Sequence, residues 1–301
     1  MLGNRISEIK ADCFADLSCL HVLHLGCNQI SVIDEDAFRG LVNLKELYLY
    51  WNQISVLDAY VFKDLNNLTI LNLSRNKIVK INEMTFRGLT NLKELHMHWN
   101  KLSFLNENMF EELISLEYLD LHWNKLDETN LFKGLSSLVD LDLGGNEIKC
   151  LNANMFQGFN SLKRLTISDN RIETIEDCTF KALTNLVELN LAADQINMIN
   201  QNTFYGLINL EKLYLEKNEI VELKENVFSH LIKLRLLDLT HNKISVVNQK
   251  SFQGLESLRK LFIDKNILLE NMINLNEVEI VYDSWREWHN TYHDYFGMFS
   301  G

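Results

Sequence analysis

Three short segments of this sequence bring together side chains able to do chemistry. Glu46, Tyr48, Tyr50 and Trp51 form the first, Glu94, His96, His98 and Trp99 the second, and Tyr118, Asp120, His122 and Trp123 the third. Within each, alternate residues are polar or aromatic and a tryptophan closes the set. Such alternation puts those side chains on one face of a strand. Exposed tryptophan and tyrosine on a rigid surface give a large contact area at small entropic cost, which is the chemistry of protein recognition. Imidazole with carboxylate is also a donor set for zinc, and imidazole titrates near neutral pH. Neighbouring histidines on a sheet are common without a metal, so no metal and no other cofactor is expected. Between the two, a pH-sensitive binding surface ranks slightly ahead of a metal site. Asp140 and Asp142 extend Asp120 into an acidic strip, but carboxylates on a strand rarely supply the six oxygens of a calcium site. Farther along, Lys212, Tyr214, Glu216, Lys217, Lys260 and Lys265 read as a mixed, solvated surface. His24 and Cys27 share a face, but nothing in the sequence orients the base or builds an oxyanion site. No catalytic residue is assigned and no enzyme is expected.

The elements that position these residues are set by a repeat. Asparagine recurs at 4, 28, 52, 76, 100 and 124, then after an interval of 22 at 146 and 170; Asp194 takes the next slot, and Asn218, Asn242 and Asn266 follow. Phenylalanine keeps the same beat from Phe14 to Phe252. An L-x-x-L-x-L segment precedes each later asparagine, as in Leu44, Leu47 and Leu49 or Leu210, Leu213 and Leu215; there are eleven such segments from Leu20 to Ile263. Period-two leucines make a short strand with one buried face. Stacking one strand per repeat gives a parallel sheet about 50 Å long. The asparagine amides can donate to and accept from neighbouring coils as a ladder, which Asp194, when ionised, weakens. The phenylalanines form a spine on the wider convex side and so bend the stack. The shorter interval removes two residues around Asp127–Asn130, which predicts a tighter convex turn and a small kink.

On these residues the sequence resembles the leucine-rich-repeat family, and within it the typical 24-residue subfamily, over roughly residues 1–266. The resemblance implies an α/β fold: a curved leucine-rich-repeat solenoid, or horseshoe, with a concave parallel β-sheet and a mostly irregular or short-helical convex side. One solenoid is expected over 1–301, with regular repeats over 1–266 and a shortened last repeat and capping segment over 267–301. Leu275, Val278 and Ile280 predict a twelfth strand, and Trp285, Trp288, Tyr292, Tyr295 and Phe296 a capping helix. The resemblance further implies a non-catalytic protein-recognition module that binds a protein on its concave face, within an extracellular receptor, adhesion or innate-immune protein. The alternative is an intracellular scaffold. Trp51, Trp99 and Trp123 occupy equivalent slots on that face. Of two glycosylation sequons, at Asn67 and Asn72, Asn67 lies before its strand, whereas a sugar on Asn72 would crowd a concave-face ligand.

Composition narrows the classes. The 301 residues carry a net charge of −12, which repels phosphate backbones and makes nucleic acid an unexpected partner. No apolar run approaches membrane-spanning length, so no direct membrane insertion is expected. Proline is absent, which excludes polyproline ligands. Cys13, Cys19, Cys27, Cys150 and Cys178 match neither a zinc pattern nor a dense disulfide framework. The opening MLGNRISEIK lacks the order of a secretory signal, and Met1 falls in the last leucine slot of a strand. The expectation is an extracellular or cell-surface location if the chain is a fragment, and a cytoplasmic one if Met1 is the native start. A second copy of the chain is a further expected partner, through an uncapped end.

Overall fold

The leucines at alternate positions of each repeat build the sheet. In the computed structural model, which describes residues 1–127, 132, 134–248, 250–264 and 278–282, twelve three-residue strands run parallel in sequence order from Val22–His24 to Glu279–Val281. The central leucine of the first eleven strands faces inward: Leu47, Leu71, Leu95, Leu119 and Leu141, for example, are fully buried and lie in register. The residues flanking them look out from the concave face. The predicted twelfth strand is present as Glu279–Val281, with Ile280 opposite Leu261. The capping-helix residues and the segment 128–131 lie outside the described residues. The core is one continuous apolar column from Ile9 to Ile263.

After each strand the chain turns, and the residue before the asparagine takes a left-handed backbone. Trp51, Arg75, Trp99 and Trp123 have φ between 51° and 55°, and Gly145 fills the same slot at +64°. The asparagine then ties its own coil to the one before it. The Asn100 amide nitrogen donates to the carbonyls of Leu73, Met97 and His98, and its oxygen accepts from Ile78 N–H at 3.0 Å. Buried carbonyls that would otherwise be orphaned are satisfied in this way. A second ladder, which sequence reasoning missed, runs along the convex side: Asn43, Asn67, Asn91, Asn185 and Asn209 each donate to a carbonyl 25 residues earlier.

The phenylalanine spine stacks at centroid spacings of 5.8–6.4 Å. The shortened repeat interrupts it. Phe132 still stacks on Phe110, but Phe159 then stands edge-on to Phe132 at 6.0 Å and passes the contact to Phe156. A phenylalanine in a leucine slot thus fills the step left by the two missing residues. The ladder crosses the same repeat intact, Leu126 N–H donating to Asn146 at 3.0 Å. The convex side contains no helix among the described residues. That side is mostly irregular, as expected, and is built of turns and four pairs of two-residue strands, such as Val56–Leu57 with Lys80–Ile81. Each coil crosses the convex side in too few residues to close several helical turns.

Candidate functional site

The repeat register places Trp51, Arg75, Trp99 and Trp123 in one row beside the concave sheet. The Arg75 guanidinium lies over both Trp51, at 5.5 Å, and Trp99, at 5.2 Å. Trp99 stacks on Trp123 with centroids 5.2 Å apart. Trp123 in turn lies against Gly145, where a Cβ would meet the indole at 2.8 Å. The result is a continuous stack of three indoles and one guanidinium. The indoles remain 55%, 42% and 49% exposed, so the stack fixes their orientation and leaves much of their surface available. Arg75 is not among the residues that the sequence alone singles out. Its slot, 24 residues from Trp51 and from Trp99, is the signal that identifies it.

Next to the stack lies a tyrosine–histidine group. His24 stacks on Tyr48 at 5.0 Å and stands edge-on to Tyr50 at 5.3 Å. Its Nε2 faces the Tyr50 hydroxyl at 3.2 Å, and its Nδ1 accepts from Gly26 N–H at 3.4 Å. Both ring nitrogens are therefore engaged, which leaves no base for Cys27. The Tyr48 hydroxyl donates to Glu46 at 2.9 Å. Burial, with that carboxylate beside it, pushes the Tyr48 hydroxyl up to about 12.

The histidine group is centred on Asp120, which is 3% exposed. Asp120 sits opposite His96 on one side and Asp142 on the other. His122 Nδ1 lies 2.6 Å from Asp120 Oδ1, and His98 Nδ1 lies 2.7 Å from Oδ2. The two imidazoles stack at 4.6 Å with planes 5° apart. Burial opposes charge on Asp120, but hydrogen bonding and attraction from the two histidines hold the carboxyl well below the usual carboxylate range. Burial lowers His98 against the pull of Asp120. At His122 burial is outweighed by Asp120 and Asp142, and the ring is raised. Burial and the nearby Asp120 charge push Asp142 up to about 7. Two sets of ligand atoms each fall within 4.8 Å of one another: His96, His98 and Asp120, and Asp120, His122 and Asp142.

The remaining predicted residues border this group or lie apart from it. Tyr118 packs against His96 at 5.0 Å. Asp140 is paired with Arg164 at 2.7 Å. Glu216, expected on a solvated surface, is buried; burial, with the Asp238 charge nearby, pushes its carboxyl up to about 8. Lys265 lies outside the described residues. Asn67 is exposed, and its amide nitrogen donates to Val42 at 2.8 Å. Asn72 is half-buried, with its oxygen accepting from Ser74 N–H and Oγ–H. All five cysteines are free thiols.

The leucine-rich-repeat family model, described as "Leucine rich repeat", matches residues 3–54, 43–102, 66–126, 128–172, 160–220 and 208–268. No curated protein sequence matches the chain. Among solved structures, the chain is similar to TLR13 in its complex with ssRNA13, with 29% identity and a TM-score of 0.66 over 86% of this chain. It spans 36% of that TLR13 chain. It is also similar to the leucine-rich-repeat chain of FLRT2 in an octameric complex with Latrophilin 3 and Unc5D. That match has 25% identity and a TM-score of 0.74, covering 88% of this chain and 84% of that one. The stacked parallel sheet, the asparagine ladder and these matches together identify the chain as a member of the leucine-rich-repeat family.

Proposed function

We propose that this chain is a non-catalytic protein-recognition module that takes a protein ligand on its concave face, within an extracellular receptor, adhesion or innate-immune protein. The observation that carries the reading is the exposed Trp51–Arg75–Trp99–Trp123 stack beside Tyr48 and Tyr50. Aromatic and arginine side chains dominate the energetics of protein interfaces. Here they are already held in one arrangement, so little side-chain entropy is lost on binding. The FLRT2 chain, which shares the fold over most of both lengths, is found in a complex with other proteins. The TLR13 chain is found with single-stranded RNA. A net charge of −12 and the Asp120, Asp140 and Asp142 strip on the same sheet oppose a phosphate backbone in this chain. Catalysis finds no support at His24 and Cys27, because both nitrogens of His24 are committed elsewhere.

The test is a screen of purified cell-surface ectodomains, with a single-stranded RNA oligonucleotide included. The parent protein and the variant Trp99→Ser/Trp123→Ser are compared side by side. The reading predicts at least one protein that binds the parent and binds the variant tenfold or more weakly, while circular dichroism shows unchanged folding. Equal binding to both forms, or binding of the RNA alone, contradicts it.

A further inference from the structure

We propose that the concave face holds one divalent first-row metal ion, zinc by its donor chemistry, between His96, His98 and Asp120. The sequence alone favours no metal here; the side-chain geometry points to one. Asp120 is directly opposite His96 across the strand pair, and His98 is two residues beyond His96 on the same face. One ligand atom from each of the three falls within 4.8 Å of the others. Around a tetrahedral ion with bonds of about 2.0 Å, ligand atoms stand about 3.3 Å apart. Closing on the ion therefore needs side-chain adjustments of about an ångström.

The closest approach is at His98. Its buried Nδ1 lies 2.7 Å from Asp120 Oδ2. Two of the three donors are therefore already drawn together at one point, and an ion inserted there takes the place of their mutual contact. The outer contacts of a metal centre are also in place. One ring nitrogen of His96 faces Glu94 at 3.3 Å, so the other is free to ligate. The second oxygen of Asp120 is held by His122 at 2.6 Å. Outer carboxylate and imidazole partners of this kind orient ligands and tune affinity.

Two imidazoles and one carboxylate suit zinc, whereas calcium and magnesium require oxygen donors. The neighbouring set of Asp120, His122 and Asp142 is poorer in nitrogen, and Asp142 already accepts from Gly144 N–H at 2.8 Å. Three protein ligands leave a fourth position. The side chains of His96 and His98 are 18% and 20% exposed, so that position opens on the concave face, to water or to an atom of a docked partner. The site stands on these side chains alone, whichever partner the face takes.

Zinc chloride titrated into the untagged full chain, followed by residue-resolved ring-nitrogen NMR of the histidines, tests this without a variant and is blind to zinc taken up by the free cysteines. The expected result is a shift of the His96 and His98 rings that saturates at one zinc per chain, with His21 unmoved. Isothermal titration then reads a hundredfold or greater loss of affinity in His96→Gln/His98→Gln and about a tenfold loss in His122→Gln. No movement of the His96 and His98 rings up to millimolar zinc overturns the proposal. So does undiminished affinity in the folded double variant.

Discussion

Asp194 stands where every other repeat places asparagine, and the substitution has a physical signature. One carboxylate oxygen accepts from Ile172 N–H at 3.0 Å, as an asparagine oxygen does, while the other is buried without a partner. Burial pushes the carboxyl up to about 8, so at neutral pH the group is a neutral acid whose O–H can replace one amide N–H of the ladder. In the unfolded chain the same group ionises near 3.9. The folded state therefore holds the proton more tightly. Its stabilising effect is fully present below about pH 4 and is lost as pH rises toward about 8, at most about 1.4 kcal/mol per unit. Asp194→Asn is predicted to raise stability over the parent, by a margin that is small at pH 4 and grows to pH 8. Urea melts of both proteins at several pH values check this, and a margin independent of pH contradicts it. Asp194 was legible in the sequence as a break in the ladder. Its retained proton was not, because ionisation depends on how completely the coils close over the side chain.

At the scale of the element, the turn after each strand couples backbone conformation to the aromatic row. Gly145 and Gly3 both have positive φ, at +64° and +69°. A Cβ on Gly3 meets nothing within 4 Å, whereas one on Gly145 meets the Trp123 indole at 2.8 Å. Alanine at either position carries the left-handed backbone penalty of about 1–2 kcal/mol. Gly145→Ala must in addition displace Trp123 from its stack. The prediction is a larger loss of stability in Gly145→Ala than in Gly3→Ala, together with a change in tryptophan fluorescence seen only in the former. Equal losses with unchanged fluorescence contradict the contact. The leucine strands, the asparagine ladder and the phenylalanine beat were readable because each depends on residue type at a fixed period. The detour through Phe159 at the shortened repeat, and the pairing of two-residue strands on the otherwise irregular convex side, were not. Both are set by how adjacent coils pack, which spacing alone does not encode.

Over the whole molecule, repetition turns local slots into columns, and the columns carry the proposed binding surface. The candidate residues Tyr48, Tyr50, Trp51, His96, His98, Trp99, Asp120, His122 and Trp123 were legible because the period stacks them. Arg75 is not singled out in the sequence, because its place shows only along its column and not within its own repeat. The division of the histidine group into a ligand-like trio and an outer pair lies in rotamers, which the sequence does not specify. The central claim is that the concave aromatic stack meets a protein partner. Hydroxyl-radical footprinting of the parent chain, alone and bound to the strongest protein hit from the ectodomain screen, tests it most directly. Trp51, Trp99 and Trp123, all partly exposed in the free chain, are predicted to lose most of their oxidation in the complex, while the exposed convex-side residue Tyr205 keeps its own. Unchanged oxidation of the three tryptophans in a saturated complex, with protection confined to the convex side, contradicts the account.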